Sequence, residues 1–319
     1  MFVSFSLFAL SLILLIHEST QQTSLPYTFG YRSSYKFHQH GNINLIISAP
    51  HGGSVMPTDV PDRSSGGCGR TADPTIFYCS WNYNDTCVGA NPCDVGSIRD
   101  VLTDEFASNV ANELNNRWGY KPFVILGVWS RGKVEFNRPI IEGTLQQPES
   151  ASSYQGYHSF ISDTVDLIYQ NFGTGLLIDF HGHAASVGDF TMAGYLLTKK
   201  HLSVDDLNTL KVITSIEPLC GSDRNECIRG QSAFGSKLEQ KGLGVVYPSL
   251  AHPKPGNLTF FEGGYITSNY ISKINAMQFE LPPSLSSTKN RTEYAKKFAE
   301  VIVEYMTERN ILRSFPTRR

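Results

Sequence analysis

Apolar residues fall into two patterns along this chain. Short unbroken runs occur at Leu45-Ile46-Ile47, Phe123-Val124-Ile125-Leu126, Leu176-Leu177-Ile178 and Gly244-Val245-Val246-Tyr247, with a fifth at Ala276-Met277-Gln278-Phe279. Runs of this length suit strands covered on both faces, as in a mostly parallel sheet. Between them the period changes. From Asp104 to Trp118 the residues Phe106, Val110, Leu114 and Trp118 recur every four positions, which makes one stripe on a helix. Thr103 stands where its N-cap would be. Near the C-terminus Tyr294, Phe298, Val301, Ile302 and Tyr305 repeat the stripe. Alternating strands and helices predict a three-layer α/β fold, its central sheet mostly parallel or mixed, with helices on both faces. No internal repeat or low-complexity linker interrupts the pattern, so one domain is expected over 25–319.

Two segments escape it. Phe2 to Ile16 is apolar except for serines, shorter than the roughly 20 residues of a membrane span. Residues 1–22 therefore read as a secretory signal peptide, with an uncleaved anchor as the alternative. The stretch 57–99 has no periodicity and carries Cys68, Cys79, Cys87 and Cys93. It reads as a disulfide-stapled loop insertion, and Cys220 with Cys227 as a separate bridge. A zinc knuckle fits the four-cysteine cluster less well, for lack of Cys-x-x-Cys hooks. Sequons at Asn84, Asn257 and Asn290 agree with export and with glycosylation. A secreted, extracellular protein is the expectation. The formal net charge of −2 offers no argument for nucleic acid or an anionic membrane as partner.

Candidate chemistry lies where the apolar runs end, at the strand edge that carries active sites in such sheets. Leu45 to Pro50 runs into His51-Gly52-Gly53, and Leu176 to Phe180 runs into His181-Gly182-His183. Two imidazoles at two strand ends suit a metal site, since histidine is a common zinc ligand and catalytic zinc takes about three protein ligands. Asp100, at the mouth of the 104–118 helix, is the expected third ligand, with Asp59 and Asp62 as competitors. Asp179, two residues before His181, is placed to orient that imidazole. His183 is either a ligand or such a partner. Zinc is the expected ion, although iron and manganese use the same ligands.

Taken in order, Pro50-His51-Gly52-Gly53, Asp100-x-x-Thr103, Asn137-Arg138 and Asp179-Phe180-His181-Gly182-His183 resemble the N-formylglutamate amidohydrolase family. That family is similar to phage poly-γ-glutamate hydrolases and to the zinc-carboxypeptidase-type fold. The resemblance covers roughly 44–305. It departs from the phage branch by the cysteine-bearing insertion between His51 and Asp100, and the chain lacks the His-x-x-Glu hook of true carboxypeptidases. It implies that Glu280, which ends the fifth apolar run, is the general base. It implies further that Asn137 and Arg138 grip a substrate carboxylate. Arg131 would assist them or stabilise the oxyanion, and His158, after Tyr157, would line the substrate pocket.

Other chemistries find no footing: there is no Gly-x-Ser-x-Gly elbow, phosphate-cradling loop or dinucleotide fingerprint. The expected function is metal-dependent hydrolysis of an amide beside a carboxylate, in an N-acyl or γ-linked glutamate or a small peptide. The rivals are a non-catalytic secreted binding protein on the same fold and a metal-dependent glycan deacetylase or esterase.

Overall fold

All five apolar runs are strands of one sheet. The computed structural model describes residues 23–63, 97–145, 147–287 and 289–316, with the backbone of 67–70 and 77–80. The signal peptide expected at 1–22, the Asn84 sequon and the pairing of Cys68, Cys79, Cys87 and Cys93 lie outside the described residues. The strands in chain order are β1 (Thr28–Phe29), β2 (Tyr35–His38), β3 (Leu45–Ala49), β4 (Gly67–Arg70), β5 (Phe77–Ser80), β6 (Phe123–Gly127), β7 (Leu176–Gly182), β8 (Phe190–Gly194), β9 (Val245–Tyr247) and β10 (Asn275–Leu281). Eight of them form a mixed sheet in the order β1-β2-β6-β3-β7-β10-β8-β9. Its centre, β6-β3-β7-β10, is parallel throughout. β4 and β5 pair by themselves inside the insertion, with Cys68 opposite Cys79 in register.

Alternation along the strands divides the core in two. Leu45, Ile47, Leu176, Ile178, Phe180, Met277 and Phe279 face one side, against Phe106, Val110 and Leu114 of the Thr103–Trp118 helix and Phe298 and Ile302 of the Arg291–Glu308 helix. Ile46, Ile125, Leu177 and Ala276 face the other, under Tyr157, Ile161, Val165 and Ile168 of the Pro148–Phe172 helix. Both predicted stripes are thus the buried faces of helices, each such side chain stabilising by about 1.5–3 kcal/mol when fully covered.

Thr103 differs from its expected role. The helix begins at Thr103 itself, and Leu102, at φ 62°, occupies the N-cap without a side-chain bond. The Thr103 hydroxyl instead donates to the Asp100 carbonyl at 2.9 Å. The short pair Cys220–Cys227 forms the expected disulfide. Among the described residues no helix is long and apolar enough to cross a membrane.

Candidate metal and catalytic site

Register decides which side chains meet. In the parallel pair β7–β10, Asp179 lies opposite Gln278 and His181 opposite Glu280. By strand alternation all four share the face that carries Leu177 and Ala276, and they stand at its carboxyl end. β3 ends one strand further along, and the chain turns at Pro50 to place His51 beside His181, ring centroids 4.7 Å apart. Gly52 is required in that turn, because a Cβ there would lie 2.4–2.6 Å from Asp104. The turn in turn holds the third group: the Asp100 N–H donates to the His51 carbonyl at 3.1 Å, and Arg99 Nε to the Gly52 carbonyl at 2.6 Å.

Asp100 Oδ2 stands 3.2 Å from His51 Nδ1 and 3.0 Å from His181 Nδ1. His51, Asp100 and His181 are buried, their potential ligand atoms lie within 4.8 Å of one another, and together they could hold a metal ion. The competitors are elsewhere: Asp59 pairs with Arg32 at 2.6 Å and Asp62 with Lys133 at 2.5 Å.

Each histidine turns its other nitrogen to a second buried carboxylate. His181 Nε2 lies 2.8 Å from Asp179 Oδ2, and His51 Nε2 bonds Glu135 Oε1. Asn137 Nδ2 also lies 3.1 Å from His181 Nε2, and an Nε2–H directed at each of these carboxylates would leave Nδ1 to meet a cation, the tautomer a ligand imidazole needs. The charge balance fits a cation as well. Asp100, Glu135, Asp179 and Glu280 are all buried, while Arg131 touches Glu135 and Asp100 and Arg63 acts at longer range. A divalent ion suits that excess of negative charge.

The titrations follow from the same contacts. Burial alone would raise the Asp100 and Glu135 carboxyls, yet His51, with His181 at Asp100 and Arg131 at Glu135, brings both below the ordinary range. Burial would lower His181, yet Asp179 and Asp100 raise it. Glu280 goes the other way: burial raises its carboxyl, and the neighbouring histidines offset this only in part. Gln278 Nε2 donates to Glu280 Oε1 at 2.9 Å and fixes the carboxyl's orientation.

A cavity of about 730 Å³ opens over the group, and Glu280, Arg131, Asn137, Arg138 and His183 all line it. Asn137 is pinned in the wall, its Oδ1 accepting from the Ile266 N–H at 2.8 Å and its Nδ2 reaching Gln278 Oε1 at 3.5 Å. Arg138 is half-exposed and is the arm of the pair that reaches solvent. His183 stands outside the three-residue group, since its nitrogens face the carbonyls of Ala184 at 3.1 Å and Phe190 at 2.7 Å.

His158 is not part of the cavity wall, which corrects the expectation that it lines the substrate pocket. Its Nε2 faces the Phe136 carbonyl at 2.8 Å and its Nδ1 the Tyr270 hydroxyl at 2.7 Å, within a layer of Tyr154, Tyr157 and Tyr265 rings. The helix periodicity of Pro148–Phe172 turns it under the sheet's end rather than toward the cleft. Glu135 is the residue the sequence did not single out. Its flanking Val134 and Phe136 are buried, and an acid between two apolar residues was the one available signal.

No protein-family model matches the chain, and no curated protein matches it. Among solved structures it is similar to N-formylglutamate amidohydrolase from Ralstonia eutropha JMP134, at 11% identity and a TM-score of 0.49, over 86% of this chain and 99% of that one. It is similar also to a bacteriophage poly-γ-glutamate hydrolase, at 12% identity and a TM-score of 0.36, over 86% of this chain and 91% of that one. These are two of the groups the sequence motifs resemble, at values that leave the chemistry to be argued from the site's own residues.

Proposed function

We propose that the chain is a secreted, zinc-dependent hydrolase of an amide bond adjacent to a carboxylate, with an N-acyl or γ-linked glutamate or a small peptide as substrate. The observation that carries this reading is that Glu280 and Arg131 line the same cavity as His51, Asp100 and His181. A divalent ion held by those three residues supplies Lewis acidity and brings the pKa of a water toward neutral.

The chain's own groups divide the remaining work. Glu280 accepts the proton of the attacking water and returns it to the leaving nitrogen, a role suited to a buried carboxylate with a raised pKa. Arg131, fixed by Glu135, presents its guanidinium to the oxygen that becomes negative as the carbonyl is attacked. Arg138 meets the substrate carboxylate at the cavity wall, with Asn137 holding the loop beside it. A guanidinium there favours an acidic amide over the glycan ester or acetamide of the rival reading.

The test is elemental analysis of the purified protein with turnover on N-formyl-, N-acetyl- and γ-glutamyl-glutamate. One equivalent of metal and hydrolysis of at least one substrate are expected. Arg138→Ala should raise KM more than it lowers kcat, because the clamp acts on ground and transition states alike. Metal bound without turnover of any of the three would move the reading to the non-catalytic binding protein.

A further inference from the structure

Phe261 and Val101 are large apolar side chains left 44% and 51% exposed, and both line the cavity of the candidate site, as do the partly covered Phe260 and Val187. Exposed apolar groups gathered at one concave surface mark a place for an apolar partner. The strand order locates this wall. Glu280 lies between His181 on β7 and Met192 on β8, and Met192 Sδ accepts from the Phe261 N–H at 3.2 Å. The phenylalanines therefore sit beyond Glu280, on the opposite side from His51. Gly264 continues the same segment to the clamp, so close that a Cβ would lie 2.2 Å from Asn137. Gly264 lies three positions after Phe261, a span of at most about 11 Å.

Resting on the proposed amide hydrolysis, we infer that Phe260, Phe261 and Val187 form a subsite for an apolar acyl group of several carbons, on the carbonyl side of the scissile amide. Three features place it there. The carboxylate of the leaving half is held at Arg138, the attacked carbon belongs beside Glu280, and the apolar wall starts where the acyl chain leaves that carbon. A formyl or acetyl group would leave most of the 730 Å³ cavity unfilled. The preferred substrates are then N-acylated acidic amino acids with a fatty or branched acyl group, or an apolar residue amide-linked to glutamate.

The experiment uses the zinc-loaded protein and N-formyl-, N-acetyl-, N-butanoyl- and N-hexanoyl-glutamate. Each buried methylene is worth about fourfold, so kcat/KM should rise by up to roughly a thousandfold over the five carbons added from formyl to hexanoyl, and by at least about tenfold if only two of them are buried. Calorimetric affinities for the same four compounds, taken on Glu280→Gln, should rise in parallel. Phe261→Ala should flatten both series, and Phe261→Leu should restore part of the slope. A flat or falling series in both measurements overturns the subsite even if the amides are hydrolysed. Absence of hydrolysis with a rising, Phe261-dependent affinity series supports the subsite and overturns the hydrolytic reading instead.

Discussion

The carboxyl edge of β3, β7 and β10 and the aromatic layer under the Pro148–Phe172 helix each bury histidines with both ring nitrogens engaged. They differ in what the nitrogens meet. His51 and His181 each face two carboxylates, whereas His158 faces a carbonyl and a hydroxyl. In the second region burial decides, and it lowers the His158 pKa to about 4. One neutral tautomer satisfies both partners, Nε2–H donating to the Phe136 carbonyl and Nδ1 accepting from Tyr270. At the strand edge the carboxylates outweigh burial and raise His181. Partners, rather than depth, separate an imidazole equipped to meet a cation from one that ties elements together.

The strongest way to break this comparison is to remove a carboxylate shared by both edge histidines. Asp100→Asn keeps the shape of the side chain but takes a charged ligand from the buried group of three. Metal should be lost on dialysis and turnover abolished, as read by elemental analysis and assay. Retained stoichiometric metal would show that the ion, if any, is held elsewhere.

Glu280→Gln should come next in size. It keeps volume and the contact with Gln278 but removes the proton acceptor, and general acid–base help is worth about 10²–10⁴ in rate. Turnover should fall by that order with metal content unchanged. Full activity would sink the assignment of Glu280 as base.

Smaller effects are expected one step out. Glu135→Gln and Asp179→Asn leave every direct ligand in place but weaken the acceptors of the Nε2–H groups. Loss of such outer partners typically costs about 10–100-fold in metal affinity, which competition with a chelator would measure. Equal effects from the two variants would support the symmetric reading of the histidines. An effect from Asp179 alone would leave Glu135 as a partner chiefly of Arg131.

How far the sequence shows this arrangement depends on whether contacts are local or tertiary. The four central strands β6, β3, β7 and β10 were legible because burial on both faces demands unbroken apolar runs, the edge strand β9 was legible from its short apolar run alone, and His51 and His181 were legible because each follows or ends such a run. β2 and β8 were not: Tyr35-Lys36-Phe37-His38 is only half buried and Phe190–Gly194 is a run broken by Thr191. Asp179 could be paired with His181 because strand alternation puts residues two apart on one face. Glu135 could not be paired with His51, 84 residues earlier, because nothing local links them. His158 misled for the converse reason. Its resemblance to a pocket residue is a matter of neighbours in sequence, while its surroundings are set by where a 25-residue helix packs.

The smallest effect tests the other half of the comparison. His158→Phe removes an imidazole whose two bonds lie in the aromatic layer, so metal content and kcat/KM should be unchanged. Leaving the Phe136 carbonyl and Tyr270 hydroxyl without these partners should cost about 1–3 kcal/mol of stability at neutral pH. The pH dependence of that difference is the sharper measure. The folded pKa of about 4 lies below the ordinary value of 6.5, so the unfolded chain binds the proton first as pH falls. His158's contribution is therefore complete above about pH 6.5 and is lost as pH falls toward 4, by up to about 3 kcal/mol. Urea unfolding of wild type and His158→Phe at pH 7 and pH 4.5 should show the two stabilities converging in acid. Parallel curves would mean that His158 titrates in the folded protein as it does in the unfolded chain. A fall in kcat/KM with stability intact would return it to the substrate.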